Sequence, residues 1–161
     1  MEIIKITQVT DDLAQMVALF RLELRSYKGI ASKPDVEAGR EEMEEYLAAG
    51  FPVFVAMVDG KYAGYVVCRI DSEVVWVESI FVKEEYRRQG IASALHSKAE
   101  EIAAFYGDDT VYNYVHPNNH RMIAFLRKRG YTVLNLIEIR KPYQGEQPTQ
   151  TICVGEHEFD Y

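Results

Sequence analysis

The chain has 161 residues, of which 48% are hydrophobic and 27% charged, a composition typical of one folded domain over residues 1–161. Its formal net charge of −7 argues against a nucleic-acid binder, because such a protein needs a basic surface. Cys68 and Cys153 lie far apart without metal-ligand spacing, so we expect reduced thiols, no metal and a cytoplasmic location. We also expect no leader and no membrane span, because no apolar run is long enough.

Hydrophobic periodicity predicts a mixed α+β fold with the order β-α-α-β-β-β-α-β-α-β-β. The helices are predicted over residues 11–27, 35–49, 90–106 and from the N-cap Asn119 to the residue before Gly130. The strands are predicted over residues 1–7, 52–58, 61–70, 73–82, 110–115, 131–139 and 151–159.

The predicted strands form a mostly antiparallel seven-stranded sheet flanked by the four helices. The first strand is expected at an edge, and the second to fourth form a meander. Asp59-Gly60 is a strong hairpin signal within that meander, and Asp71-Ser72 is predicted as its second turn. The fifth strand is expected parallel to the fourth, and the last two strands form a hairpin. Gly39 is expected to weaken the second helix by up to ~1 kcal/mol relative to alanine.

The stretch from Glu78 to Ser93 is the most informative part of the sequence. An apolar strand and a short polar turn precede Arg87-Arg88-Gln89-Gly90-Ile91-Ala92, which opens an amphipathic helix. The first N–H groups of a helix have no partner inside it and lie at the positive end of its dipole, so they can bind phosphate. Gly90 permits close approach because it has no Cβ. The commonest phosphate-loop motifs are absent, and an ordinary helix start is the alternative interpretation.

The pattern R-x-x-G-x-A resembles the acetyl-CoA motif of the GNAT acetyltransferase family. A second segment, Asn119-His-Arg-Met-Ile-Ala-Phe-Leu-Arg-Lys-Arg-Gly-Tyr131, is similar to the family's N-x-x-A-[IV]-x-x-Y-x-K-x-G-F segment. The predicted order of elements is also that of the GNAT fold, so the resemblance covers almost the whole chain. It implies acetyl-CoA as co-substrate and an amine acceptor.

The resemblance also implies where acetyl-CoA binds. Its pantetheine arm is expected in a gap between the central strand and the parallel neighbour, held by backbone groups of Ile80, Phe81 and Val82. The N–H of Ile80 is the expected donor to the thioester oxygen, an interaction worth roughly 3 kcal/mol of barrier. The side chain of Asn119 reaches the arm, or only caps its helix. The pyrophosphate is expected on Arg87, Arg88, Gln89, Gly90, Ile91, Ala92 and Ser93.

Acetylation of an amine needs a base, because an alkylammonium has a pKa of ~10.4. Glu78 is the predicted base, since it precedes Ile80 by two residues and is expected on the same strand face. The alternatives are a structural ion pair or an anion that binds the acceptor.

The family tyrosine that protonates the departing thiolate falls at Leu126, which cannot donate a proton. His116, Tyr114 and Tyr131 are candidates to replace it, although each is also explained as a structural residue. The alternative is that the thiolate leaves without a protein acid, because the thiol of coenzyme A is fairly acidic. His96 and His120 are expected to face solvent on their helices.

The implied function is transfer of acetyl from acetyl-CoA to a primary amine of a small molecule, a peptide or a protein. Leu126 favours, as the alternative, a catalytically weak or silent acetyl-CoA-binding sensor or regulatory domain, and a ligand-free interaction module is the third hypothesis. We expect the acceptor across the sheet from the cofactor, at a site lined by residues 27–35, the first two helices and the hairpin of the last two strands. Glu23 and Glu78 are informative if they converge. The glutamates of the second helix are expected to form a solvated face. A homodimer through the last strands or a sheet edge is compatible with the sequence.

Overall fold

The computed structural model describes residues 1–145 and 147–161, which form two compact units, residues 1–114 and 115–161. The first unit contains β1 (Glu2–Ile6), α1 (Asp11–Tyr27), α2 (Val36–Ala48), β2 (Val53–Val58), β3 (Lys61–Asp71), β4 (Val74–Val82), a 3₁₀ turn (Glu84–Tyr86), α3 (Ile91–Phe105) and β5 (Tyr112–Asn113). The second contains α4 (His120–Lys128), β6 (Thr151–Val154) and β7 (His157–Asp160). The predicted order of strands and helices is confirmed as far as α4, and the two strands that follow α4 lie at other residues than predicted.

The first unit is built on a sheet with the strand order β1-β2-β3-β4-β5. Neighbouring strands are antiparallel except β4 and β5, which are parallel, and β1 lies at an edge as predicted. Asp59 and Gly60 have φ of 49° and 74°, the left-handed backbone that a two-residue hairpin turn requires. The turn between β3 and β4 uses Ser72 and Glu73, with φ of 50° and 70°, so it lies one residue later than predicted.

The hydrophobic core of the first unit lies between the sheet and the pair α1–α2. Its fully buried members include Leu13, Met16, Val17, Met43, Val53, Val55, Tyr65 and Val67. The alternate residue Phe54 points to the opposite face of β2, where it lines a shallow groove with Ile102 of α3. The sheet is therefore covered by α1 and α2 on one face and by α3 on the other.

Gly39 has a structural role that its helix propensity does not predict. A Cβ at this position would lie 2.6 Å from the carbonyl oxygen of Ala14 and 3.0 Å from the backbone nitrogen of Ala18. Glycine therefore lets α2 pack directly against the backbone of α1. The expected cost of Gly39 within the helix is offset by this close packing.

The second unit differs from the prediction after α4. Residues 131–139 form no strand, so the predicted sixth strand is wrong. The predicted last strand is instead divided into β6 and β7, which pair through a two-residue loop that begins at Gly155, with φ of 61°. Such a short loop costs little closure entropy, so the local hairpin replaces the long-range one. The described residues thus contain seven strands, in sheets of five and two. The sequence also predicts a loop over residues 141–148, of which Glu146 lies outside the described residues.

Within the residues described, no helix is long and apolar enough to cross a membrane. The same residues contain no group of three or more histidine, cysteine or acidic side chains that could hold a metal ion.

The two cysteines differ in environment, and this predicts how stability depends on pH. Cys68 is fully buried, and burial raises the pKa of its thiol from 9.0 to about 12, whereas Cys153 is exposed. Between pH 9 and 12 the unfolded chain ionises this thiol and the folded protein does not, so stability falls as pH rises. The unfolding free energy of the unmodified protein should fall with pH more steeply than that of the Cys68→Ala variant. We expect the two slopes to differ by up to about 1.4 kcal/mol per pH unit.

Urea unfolding at intervals from pH 8 to 11 measures this slope. Cys153→Ser is the matched control, because Cys153 is exposed, and its slope should equal that of the unmodified protein. Equal slopes for Cys68→Ala and Cys153→Ser would contradict the prediction. The pKa values of Tyr65 and Tyr46 are also raised, mainly by burial, so both tyrosines add to the loss of stability in alkali. Both are present in all the proteins compared, so their contribution to the slope is the same in each.

Candidate functional site

A slot opens beside β4 where its parallel neighbour ends. β4 and β5 pair only through Trp76 opposite Tyr112 and Val77 opposite Asn113. β4 continues to Val82 along β3, but no strand in the described part of the chain pairs with its other side beyond Val77. The backbone of β4 beyond Val77 is therefore not paired with a strand on this side, where the resemblance implied a gap for the pantetheine arm.

Backbone groups alternate between the two sides of β4. The N–H of Lys83 donates to the carbonyl of Ala63 on β3 at 2.9 Å, so Phe81, two residues earlier, also points towards β3. Ile80 and Val82 then point into the slot. The carbonyl of Val82 already accepts the Arg87 Nε–H at 2.9 Å. The backbone groups available to the pantetheine arm are therefore both groups of Ile80 and the N–H of Val82. Those of Phe81, the third residue expected to bind the arm, point towards β3.

A β-bulge at Glu78 interrupts this alternation. Val67 of β3 opposes Ser79 and the next residue, Cys68, opposes Val77, so Glu78 is the extra residue. The expectation that Glu78 shares the face of Ile80 is wrong for this reason. A bulge re-aims the strand, and a simple count of two residues does not hold across it.

Glu78 forms an ion pair with β3. Its Oε2 lies 3.1 Å from the Nε of Arg69, and 27% of its side chain is exposed. The guanidinium of Arg69 also stacks over Trp76, 4.5 Å from the ring centroid, and donates to the Tyr114 hydroxyl at 3.4 Å. The carboxylate is therefore held in one place and still reaches solvent. Arg69 was missed by the sequence reasoning, although the register of the β3–β4 hairpin places it beside Trp76 and close to Glu78.

Tyr46 of α2 lies within the electrostatic reach of Glu78. Burial raises the pKa of Tyr46, and the carboxylates of Glu42 and then Glu78 raise it further. The hydroxyl of Tyr46 donates to Glu42 Oε1 at 3.2 Å, and Glu42 pairs with Arg21 of α1. Among the glutamates of α2, Glu42 thus turns inward, contrary to the expectation of a fully solvated face. The face of the sheet under α1 and α2 therefore carries a cluster of carboxylates around Tyr46.

The N-terminus of α3 differs from those of the other helices. In α1, α2 and α4 the side chain of the N-cap residue accepts a hydrogen bond from a backbone N–H of the first turn. These N-cap residues are Thr10 in α1, Asp35 in α2 and Asn119 in α4. α3 starts at Gly90, with φ of 81° and no side-chain cap. The first N–H to bond back along this helix is that of Ala94, to the carbonyl of Gly90 at 3.0 Å. The N–H groups of Ile91–Ser93 have no acceptor among the residues described, so they are available to an anion.

The polar side chains before Gly90 mostly hold the loop itself. Arg87 donates to Glu23 of α1 at 2.5 Å as well as to the carbonyl of Val82. Gln89 donates to the carbonyl of Glu85 at 3.1 Å. Arg88 has a φ of 65°, and its guanidinium makes no ion pair or hydrogen bond with the described residues. Glu23 pairs with Arg87 and Glu78 with Arg69, so the two carboxylates have different partners.

The remaining site candidates lie in the second unit. The Nδ1 of His116 accepts the N–H of Asn118 at 3.2 Å, so a neutral ring carries its proton on Nε2. Asn119 caps α4 by accepting the N–H of Met122 at 3.1 Å, which confirms its capping role. Leu126 is buried, and its carbonyl accepts the N–H of Tyr131 at 3.1 Å. The catalytic roles of His116 and Tyr131, and contact of Asn119 with acetyl-CoA, stay predictions.

His96 does not face solvent, so that prediction is wrong. It is fully buried on α3, because the face of α3 that packs on the sheet is wide enough to include it beside Leu95 and Ala99. Its neighbours are Asn113 of β5 and Glu100 of the same helix.

Residues 16–131 match the acetyltransferase (GNAT) family, a stretch that contains the slot beside β4 and the start of α3. The chain belongs to the GNAT family. GNAT enzymes use acetyl-CoA as co-substrate, and the open slot together with the uncapped start of α3 fits such a molecule.

Two archaeal proteins named N-alpha-acetyltransferase are similar in sequence to this GNAT chain. The protein of Saccharolobus solfataricus is 31% identical over 111 residues, 61% of this chain and 65% of that protein. The protein of Sulfurisphaera tokodaii is 32% identical over 114 residues, 60% of this chain and 64% of that protein. The alignments thus span less than two thirds of these relatives' own lengths.

Solved structures confirm the GNAT fold. The aminoglycoside N-acetyltransferase AAC(6')-Iy, in complex with a bisubstrate analog, superposes with a TM-score of 0.65 at 21% identity. That match covers 88% of this chain and 97% of the other. PaiA N-acetyltransferase from Thermoplasma acidophilum, in complex with coenzyme A, gives 0.63 at 21% identity, over 80% of this chain and 89% of the other.

Proposed function

We propose that this protein is an N-acetyltransferase that moves the acetyl group of acetyl-CoA directly to a primary amine. The observation that supports this most strongly is the succession of two open backbone surfaces in one unit. The slot beside β4 ends at Val82, and the uncapped N-terminus of α3 follows at Gly90. An extended arm and a diphosphate joined to it need these two surfaces in this order.

Different groups of the chain bind the different parts of acetyl-CoA. The N–H groups of Ile91–Ser93 and the charge of Arg88 hold the pyrophosphate. The groups of Ile80 and the N–H of Val82 bind the pantetheine arm as a neighbouring strand would. The N–H of Ile80 stabilises the thioester oxygen as it becomes negative, because a fixed donor in the slot needs no reorganisation during the reaction.

The acceptor binds on the face of the sheet that carries Glu78, Tyr46 and Glu42. Carboxylates on this face attract an alkylammonium group, and Glu78 removes its proton directly or through water. The relatives named N-alpha-acetyltransferase and the aminoglycoside N-acetyltransferases define two acceptor classes worth testing, namely peptide α-amines and amino sugars.

A second candidate function is an acetyl-CoA-binding sensor that does not turn over. The observation that favours it is the buried, apolar Leu126, at the position where the GNAT resemblance implies a tyrosine acid. The two candidates agree on the binding of acetyl-CoA and differ in turnover.

Release of coenzyme A thiol, measured with a panel of peptide α-amines, peptide lysines and amino sugars, separates these candidates. Cys153 is exposed and would add its own thiol to the signal of the assay, so the Cys153→Ser variant is the protein to assay. Acetylated product, identified by mass spectrometry, accompanies thiol release if the enzyme proposal is right. Binding of acetyl-CoA without acetylation of any amine would favour the sensor.

Replacing Glu78 with glutamine tests its role as the base. We expect kcat to fall by about 10²-fold, because the amide keeps the size of the side chain and cannot accept the proton. The matched control is Glu73→Gln, an exposed residue of the β3–β4 turn, which should keep the original rate. If Glu78 is only the partner of Arg69, the variant will lose stability in urea while kcat stays unchanged.

A further inference from the structure

The fork between β4 and β5 is held by a buried side chain of α3. Asn113 opposes Val77, the last residue of β4 that pairs with β5, so it lies exactly where the two strands separate. The Oδ1 of Asn113 lies 3.2 Å from the Nε2 of His96, which is 0% exposed. The side chain that ends the ladder is therefore fixed from the face of the sheet covered by α3.

The hydrogen bonds around Asn113 determine the direction of this contact. Its Nδ2 donates to the carbonyl of Val111 at 3.2 Å, which leaves Oδ1 as the acceptor that faces His96. The Nε2 of His96 must therefore carry a proton and donate it. Its Nδ1 lies 3.3 Å from Oε1 of Glu100, one turn further along α3. The contact is thus a defined donor–acceptor pair.

We propose that His96 is a positioning residue for acetyl-CoA, acting through Asn113. This inference rests on the proposed function. His96 lies five residues after Ile91, about 7.5 Å along the helix that binds the pyrophosphate. One helix thus fixes both the pyrophosphate site and the strand that borders the slot. The His96–Asn113 hydrogen bond sets the position of β5 relative to α3, and so the width of the slot available to the pantetheine arm. His96 touches no reacting atom.

The first test is the affinity for acetyl-CoA, measured by calorimetry and by steady-state kinetics. In His96→Ala we expect the Kd and the KM for acetyl-CoA to rise about tenfold, the effect of losing one buried hydrogen bond. We expect kcat at saturation to change by less than about threefold, because the reacting groups stay in place. His96→Gln should restore most of the affinity, since its amide N–H can donate to Asn113. Unchanged affinity in His96→Ala, or no rescue by glutamine, would overturn the proposal.

The matched control is Leu95→Ala. Leu95 is also fully buried on α3 and makes no hydrogen bond to β5, so its loss reports on packing alone. At a temperature where both variants remain folded, Leu95→Ala should bind acetyl-CoA within about twofold of the unmodified protein. If it binds as weakly as His96→Ala, the effect belongs to general destabilisation and the positioning role is wrong.

A double-mutant cycle in urea tests the hydrogen bond without any ligand. Each single variant raises the unfolding constant, and independent effects would multiply in the double variant. We expect the unfolding constant of His96→Ala/Asn113→Ala to be about tenfold smaller than that product, because the shared hydrogen bond can be lost only once. This coupling separates the two proposals. If the unmodified protein binds no acetyl-CoA, the proposed function fails, and the positioning role fails with it even when the coupling is present. If the unmodified protein binds and the coupling is absent, the positioning role alone fails.

Discussion

The Gly90→Glu variant is expected to lose at least about 100-fold in affinity for acetyl-CoA while it keeps its fold. The new carboxylate lies beside the free N–H groups at the start of α3, where it competes for those donors and repels the pyrophosphate. A hundredfold loss corresponds to about 2.7 kcal/mol of binding free energy. The fold is retained because a Cβ at Gly90 meets no atom within 4 Å. Isothermal titration calorimetry measures the affinity.

Gly60→Glu is the matched control for this variant. Gly60 also has a left-handed backbone, with φ of 74° against 81°, and a Cβ there also meets no atom within 4 Å. Both variants therefore pay the same backbone cost of roughly 1 kcal/mol and carry the same new charge. Gly60 lies in the β2–β3 turn, outside the first turn of α3, so a carboxylate there does not occupy the N–H groups of Ile91–Ser93 and its variant should bind normally. Equal affinity in the two variants would place the pyrophosphate elsewhere and remove the main support for the proposed function.

The Gly64→Ala variant should be destabilised by about 3 kcal/mol, more than expected for a single methyl group. A Cβ at Gly64 would lie 2.5 Å from the carbonyl oxygen of Phe81 and 3.0 Å from a methyl carbon of Val82. Backbone cannot rotate away as a flexible side chain can, so β3 and β4 must separate. Urea unfolding measures the loss of stability. Because β4 borders the slot, the affinity for acetyl-CoA should fall as well.

Gly60→Ala provides the comparison for Gly64→Ala in the same strand hairpin. It adds the same methyl group into open space and costs only the strain of a left-handed backbone, about 1 kcal/mol. A loss in Gly64→Ala no larger than that in Gly60→Ala would show that β3 and β4 can separate without cost, contrary to the prediction.

The elements that depend on local patterns were predictable from the sequence. The periodicity of α1 and its N-cap Thr10 gave the helix its observed bounds, Asp11–Tyr27. Asp59-Gly60 specified the first hairpin turn, because few other residue pairs adopt two successive left-handed conformations at low cost. The start of the third helix at Gly90 was also predicted, although the left-handed backbone of this glycine was not. Each of these features is encoded within a few neighbouring residues.

The arrangement of the candidate site was decided only by the tertiary structure. Arg87 bonds Glu23 across 64 positions of sequence, and no local pattern distinguishes this pairing from a phosphate-binding arginine. The bulge that re-aims Glu78 depends on how β3 and β4 align. The alternation of side chains along a strand assumes no extra residue, so it could not predict the bulge. The burial of His96 depends on the partners that α3 meets. Residues 131–139 show the converse, since alternation predicts a strand only where a partner strand is available, and β6 pairs with β7 instead.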